Sequence, residues 1–205
     1  MTIRPLATLA VALSAGFVSS LACAATGRTA GALDVSLAGE SHYTLPLFAP
    51  PGSHSMTPKL ALVYGHRGGE SSLGVGWSLS GASALTRCPR TWAQDGAPAA
   101  IALATSDRLC LDGNQLKLTS GTQGIAGSTY QTELDTFTRV TAYGSAGNGP
   151  AYFIAQGKDG LIYEYGNSTD SRIESTAAGF TTTPHTWALN QVRDRSGNAI
   201  VFNYY

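Results

Sequence analysis

Apolar residues recur at every second position along much of this chain, in short runs that glycine and proline interrupt. Leu33, Val35 and Leu37 form one such run. A period of two places these side chains on one face of a β-strand, and no window shows the 3.6-residue period of an amphipathic helix. We therefore predict an all-β fold of about a dozen short antiparallel strands in hairpins, with a sandwich-like or shell-like arrangement.

The stretch SSLGVGWSLSG at residues 71–81 contains the clearest alternation. Between Leu73 and Leu79 every second residue is apolar, with Trp77 the largest, and the intervening positions hold only glycine and serine. The pattern predicts a core strand with Trp77 as its packing anchor. The alternative is that the small-residue face forms a ligand or sugar groove. The glycines to which we assign a structural role here are Gly74, Gly76 and Gly81.

Short turn sequences between apolar runs predict three hairpins. The turns are Asp112-Gly113-Asn114, Lys158-Asp159-Gly160 and Asp194-Arg195-Ser196-Gly197-Asn198. Tyr163 and Tyr165 follow the second turn, and aromatic residues two apart on a strand pack against neighbouring strands. We therefore assign structural roles to these two tyrosines. The turn residues with the same assignment are Asp112, Gly113, Gly197 and Asn198.

The first 24 residues have the pattern of a secretory signal peptide. An apolar run from Leu6 to Val18 is too short to span a bilayer, and Ala22-Cys23-Ala24 matches an A-x-A cleavage site. We predict that a signal helix at 1–24 is cleaved after Ala24, leaving 25–205 as one secreted β-rich module. Lipidation of Cys23, or retention in the periplasm, is the competing interpretation. Ser20 stands where a lipidation motif has an aliphatic residue.

The charge of the chain disfavours several classes of partner. Lys plus Arg number 13 and Asp plus Glu number 13, so charged residues make up only 13% of the sequence. Such a low and balanced charge gives no field that would attract nucleic acid or anionic lipid. We predict no nucleic-acid partner and no membrane span.

Two cysteines, Cys88 and Cys110, follow the predicted cleavage site. In a secreted chain the simplest outcome is one disulfide between them. The loop of about 23 residues that it closes corresponds to roughly 3 kcal/mol of stabilisation in the chain-entropy treatment. Two separate buried thiols are the alternative.

Recognisable catalytic and metal-binding motifs are missing from the sequence. There is no GxSxG, HExxH, CxxC, phosphate loop or DxDxDG calcium loop. Each histidine stands alone in or beside an expected loop, at His42, His54, His66 and His185. We predict no catalytic residue, no cofactor and no metal, and therefore no enzyme. A pair of carboxylates brought together by folding, as in a glycosidase, is left open by the sequence.

An apolar strand pattern runs through Val201 to Tyr205. An exposed apolar edge strand promotes association between chains. We expect the natural partner of this strand to lie further along a longer chain, so that the module at 25–205 is truncated at its C-terminus. We also expect the isolated chain to self-associate through this edge.

Several stretches in sequence order carry a family pattern. They are Tyr43–Pro46, Pro50–Gly52, Pro58–Tyr64, Leu73–Gly81, Thr86–Arg90, Asp107–Gly113, Tyr130–Glu133, Glu164–Gly166 and Trp187–Asn198. As a set, over roughly residues 30 to 205, this resembles the SpvB-type N-terminal domain of secreted Rhs/YD-repeat and Tc-toxin B-component proteins. The resemblance implies a β-rich module of a much larger protein, in which a β-propeller and YD repeats form a hollow shell around a toxic segment. It transfers no catalytic residue to this chain.

The pattern and the resemblance together predict a non-enzymatic scaffold module of a secreted, virulence-associated SpvB/Rhs-type toxin or cell-surface protein. Its partner would be the remainder of a longer chain or another subunit of a toxin complex. One alternative is a carbohydrate- or surface-binding module that uses Trp92 or Trp187 as a stacking platform. A second is a small secreted hydrolase with carboxylates or histidines converging in one pocket.

Overall fold

A computed structural model describes most of the chain. The described residues are 30–37, 39–53, 56–71, 73–180 and 182–205. The predicted signal peptide at 1–24 and His54 lie outside them. Within the described residues the fold is built of antiparallel strands joined in hairpins, and the prediction of an all-β fold is confirmed.

The first four strands form an open antiparallel sheet in sequence order. They are β1 (Ala32–Val35), β2 (Ser41–Pro46), β3 (Ala61–Gly65) and β4 (Trp77–Ser80). The proline-rich segment between β2 and β3 is not a strand, because proline fixes φ and cannot donate a backbone hydrogen bond.

Eight of the later strands close into a barrel. They are β5 (Ala84–Cys88), β6 (Arg108–Leu111), β7 (Asn114–Ser120), β8 (Thr129–Thr132), β9 (Arg139–Tyr143), β10 (Tyr152–Gln156), β11 (Ile162–Tyr165) and β13 (Pro184–Arg193). Strands β5 to β11 pair each with the next, and β13 pairs with both β5 and β11. This closure satisfies the backbone groups that would otherwise form two open edges.

The long strand β13 joins the barrel to two short outer strands. Its first half pairs with β5 and with β12 (Arg172–Glu174), and its second half pairs with β11 and with β14 (Ala199–Val201). A single four-residue helix among the described residues, α1 (Trp92–Asp95), follows β5. Sequence periodicity did not predict this helix because four residues complete little more than one helical turn.

The interior of the barrel is the hydrophobic core. Alternate residues of each strand point inward, and the largest are Trp187, Tyr130 and Phe153, each with 0% of its surface exposed. The rings of Phe153 and Trp187 meet edge to face, with centroids 5.0 Å apart. An eight-stranded barrel is just wide enough to be filled by such side chains.

The structure contradicts the prediction that residues 73–79 form one core strand. Strand β4 begins only at Trp77, and the side chains of Leu73 and Val75 are 48% and 67% exposed. Gly74 and Gly76 have φ of +109° and +80°, so the backbone turns twice before the strand begins. The glycines that looked like the bare face of a strand therefore form turns, because they adopt a conformation that other residues avoid.

Candidate functional site

One face of the first sheet is dominated by apolar side chains, with Ser41 opposite Val35 as the polar exception, and we call it the apolar face. Directly opposed residues on neighbouring strands share a face of the sheet, and so do residues two apart on one strand. The pairs Leu33–Tyr43, Tyr43–Tyr64 and Tyr64–Trp77 therefore form one row across four strands. The residues of the apolar face are Leu33, Val35, Tyr43, Leu45, Leu62, Tyr64, Trp77 and Leu79.

Much of the apolar face is open to solvent. The side chains of Leu33, Val35 and Leu79 are 72%, 61% and 41% exposed. Trp77 is partly buried, with its ring 5.4 Å from that of Tyr64 and 6.5 Å from that of Tyr43. A contiguous exposed apolar surface of this kind is typical of an interaction site.

Strand β14 provides a second surface for association, although it is shorter than predicted: it ends at Val201, and residues 202–205 are not in a strand. Among the described residues it pairs with β13 alone, and Val201 is 59% exposed. The hydroxyl of Tyr204 donates to the carbonyl of Leu189 at 2.7 Å, which holds the end of the chain against the barrel. The outer edge of β14 therefore has backbone groups to which another strand can be added.

A buried arginine closes one end of the barrel. Arg87 lies on β5 two residues after Leu85, points inward and is only 4% exposed. Its guanidinium donates to the Asp107 carboxylate at 3.0 Å and lies 5.7 Å from the centroid of the Trp187 ring. Three carbonyl oxygens accept its remaining hydrogen bonds at 2.6–2.9 Å, those of Ala104, Asn148 and Pro184.

The role of Arg87 was not predicted from the sequence, although the sequence contains a signal for it. In Ala84-Leu85-Thr86-Arg87-Cys88 the alternation that buries Leu85 also points Arg87 inward. A charged residue at an inward position predicts a buried partner, because an unpaired charge in a core is strongly unfavourable. That partner, Asp107, also accepts from the backbone amides of Ala102 and Ala104.

The opposite end of the barrel is open, and we call it the barrel mouth. A hollow of about 370 Å³ extends there down to the buried side chains of Leu111 and Ala155. Ser83 donates to the carboxylate of Asp112 at 2.7 Å, and its oxygen lies 2.9 Å from the hydroxyl of Tyr165. The predicted turn residue Asp112 and the predicted structural residue Tyr165 are thus brought together at one site.

The second tyrosine of β11 also reaches the barrel mouth. The Tyr163 hydroxyl donates to Asp159 at 2.6 Å. Burial, together with this carboxylate, raises the pKa of Tyr163 to about 12. Burial also raises the pKa of Tyr165 well above its usual value. Both hydroxyls therefore keep their protons through the physiological pH range.

The other residues with predicted structural roles lie in turns. Asp112 and Gly113 have φ of +48° and +80° between β6 and β7. In the turn before β14, Gly197 has φ +90°, and the amide of Asn198 donates to Asp194 at 2.9 Å. Gly81 has φ +87°, and a side chain there would overlap the backbone of Lys59.

The two tryptophans considered as sugar platforms differ in their environments. Trp187 is 0% exposed within the barrel, so the hypothesis that it stacks on a sugar is wrong. Trp92 is 71% exposed on α1. An isolated exposed tryptophan does not by itself define a groove.

Cys88 and Cys110 form a disulfide between the neighbouring strands β5 and β6. We expect the mature chain to have a mass lower by two hydrogen atoms than the reduced chain and to react with no alkylating reagent before reduction. Mass spectrometry with and without reduction measures this. A Cys88→Ser variant, which retains one thiol, is the control for alkylation. Two alkylated cysteines in the untreated protein would contradict the bond.

The described residues contain no cluster of three or more His, Cys, Asp or Glu side chains with metal-binding geometry. In the same part of the chain, no helix has the length and apolar character needed to cross a bilayer.

Three solved structures share this fold. The structure of TcdB2-TccC3 superposes with a TM-score of 0.68 at 21% identity, over 86% of this chain and 9% of that chain. The N-terminal domain of effector protein SpvB from Salmonella typhimurium strain LT2 gives a TM-score of 0.58 at 20% identity, over 78% of this chain and 54% of that one. The complex TcdB2-TccC3-Cdc42 gives a TM-score of 0.61 at 20% identity, over 79% of this chain and 8% of that chain. This chain thus spans about a tenth to about half of these chains. No curated protein matches its sequence.

An open four-stranded sheet followed by a closed barrel is thus the architecture of an SpvB-type N-terminal domain, as found in Tc-toxin B components. The chain belongs to the SpvB family, whose model, described as Salmonella virulence plasmid 65kDa B protein, matches residues 35–205. The resemblance stated from the sequence motifs is confirmed.

Proposed function

We propose that this chain is a non-enzymatic structural module of a secreted toxin, docked through its apolar face onto the remainder of a longer chain or onto another subunit of a toxin complex. The observation that carries the proposal is the exposed apolar face. Family membership and the fold shared with TcdB2-TccC3 support the association with toxins.

The chemistry of the apolar face indicates the type of partner. Its rows, Leu33–Tyr43–Tyr64–Trp77 and Leu45–Leu62–Leu79, contain no charged side chain. Such a face is stabilised by covering it with another apolar layer, as when two sheets pack face to face about 10 Å apart. The partner surface would therefore be an apolar sheet or strand pair.

The edge of β14 would contribute a second, directional contact. Addition of a strand there would satisfy unpaired backbone groups and fix the register of the partner. The apolar face supplies burial and β14 supplies orientation, so the two surfaces together would hold the module in one position. Secretion after cleavage at Ala24 is part of this proposal, and Ala24 lies outside the described residues.

A lysine at Val35 is expected to reduce association of the isolated chain. We expect the wild-type chain 25–205 to self-associate and to enhance the fluorescence of the apolar dye 8-anilinonaphthalene-1-sulfonate. A charge on the apolar face opposes both effects. Light scattering and dye titration measure them, and Val201→Lys tests the edge of β14 in the same way.

Leu134→Lys is the matched control, because Leu134 is 73% exposed and lies outside both surfaces. All variants are expected to keep the thermal midpoint of the wild type. Docking through the apolar face would be refuted if the wild-type chain stayed monomeric at high concentration and did not enhance the fluorescence of the dye. Equal effects of Val35→Lys and Leu134→Lys would refute it as well.

A further inference from the structure

We propose that the barrel mouth is a binding site for a neutral, polyhydroxylated ligand, a single saccharide unit. The docking surfaces described above do not use this site. The hollow of about 370 Å³ falls within the size range of small-molecule pockets, and the mouth of a barrel is a common position for them.

The hollow is partly open to solvent, and residues of the barrel core form its inner end. Leu111, Ala155 and Tyr165 line it, yet they are only 8%, 1% and 3% exposed. They form an apolar floor, while the rim is polar. A sugar ring has the complementary distribution, with a C–H face that packs on apolar surface and hydroxyl groups around it.

A row of hydroxyl groups lines one side of the mouth. The Thr132 and Thr136 hydroxyls lie 2.9 Å apart, and the Thr136 hydroxyl donates to that of Thr138 at 3.0 Å. Each hydroxyl can both donate and accept hydrogen bonds. A ligand that carries several hydroxyls can therefore join this row without leaving a donor or an acceptor unpaired.

The charges at the mouth do not favour an ionic ligand. Asp112 accepts from Ser83 and from the amide of Ala84, and Asp159 accepts from Tyr163 and the amide of Leu161. Hydrogen bonds from the chain itself thus already partly compensate the negative charge of both carboxylates. Lys158 adds a positive charge at the same rim. Carboxylate oxygens held in place in this way are suitable acceptors for sugar hydroxyls.

Saturation-transfer difference NMR on the chain 25–205 tests the proposal. The probes are methyl glycosides of glucose, galactose, mannose and N-acetylglucosamine, each at millimolar concentration. We expect signal transfer to at least one of them. Thr136→Phe, which fills the mouth from an exposed position, should abolish the transfer, and Thr136→Val, which removes only the hydroxyl, should weaken it severalfold.

Thr169→Phe is the matched control, because Thr169 is also exposed and lies away from the mouth. Thermal unfolding of each variant verifies that it is folded. Failure of all four glycosides to receive signal from the wild type would overturn the proposal. So would unchanged transfer in Thr136→Phe or equal loss in Thr169→Phe. Release of methanol from a glycoside would indicate hydrolysis and would refute both this site as a binding site and the non-enzymatic role. A lack of binding leaves the docking proposal unaffected.

Discussion

Replacing Arg87 with methionine is expected to lower the free energy of unfolding by about 3–5 kcal/mol, because it leaves the Asp107 carboxylate buried without its cation. Asp107 is only 7% exposed. Methionine has a similar length but no donor, so the three carbonyl oxygens that Arg87 now serves also lose their partner.

The planar guanidinium of Arg87 explains why lysine is a poor substitute at this position. Arg87 reaches carbonyls of two loops and of β13 from one planar group. An ammonium is a compact group with three donors that cannot span these acceptors together. We therefore expect Arg87→Lys to be destabilising, although less than Arg87→Met because it keeps a positive charge near Asp107.

Urea denaturation followed by tryptophan fluorescence measures both variants. Arg139→Met is the matched control, because Arg139 is the exposed first residue of β9. Its free energy of unfolding should change by less than about 0.5 kcal/mol, as for most surface substitutions. A loss of under about 1 kcal/mol in Arg87→Met would mean that the Arg87 network does not hold the end of the barrel.

The local signals in the sequence predicted the hairpins correctly. Asp112-Gly113 joins β6 to β7, and the turn at 158–160 joins β10 to β11 as expected. Turn chemistry is local, because glycine adopts left-handed backbone conformations readily and aspartate tolerates them better than most residues do. The family was also accessible from the motifs.

Closure of the barrel and the positions of its ends could not be predicted from these signals. Strand β11 pairs with β13, so that Tyr165 lies opposite Leu189, although β12 lies between these strands in sequence. No local sequence pattern specifies that contact. Apolar and small residues alternate around Trp77, and this pattern indicated a core strand. The same pattern also fits a turn followed by a strand with an exposed face. Only the fold shows which apolar residues remain uncovered.

Gly166→Ala is the second substitution with a large expected effect, a loss of about 2–5 kcal/mol in the free energy of unfolding. Gly166 follows β11 with φ +74°, in the left-handed region, where a Cβ is unfavourable by about 1–2 kcal/mol. The added methyl group would also overlap Cδ1 of the Trp187 indole and would lie 3.0 Å from Cβ and Cγ of the same side chain. Overpacking a filled core adds about 1–3 kcal/mol.

Gly197→Ala separates these two contributions. Gly197 has φ +90°, but a Cβ there would meet no atom within 4 Å. The free energy of unfolding of Gly197→Ala should therefore fall only by the conformational contribution, about 1–2 kcal/mol. Urea denaturation of the two variants side by side gives the difference, which measures contact with Trp187. The native fluorescence should change in Gly166→Ala alone, because only that variant displaces a buried indole. Equal losses in the two variants would mean that Trp187 does not pack against this turn, and the position of the largest side chain in the barrel core would then be wrong.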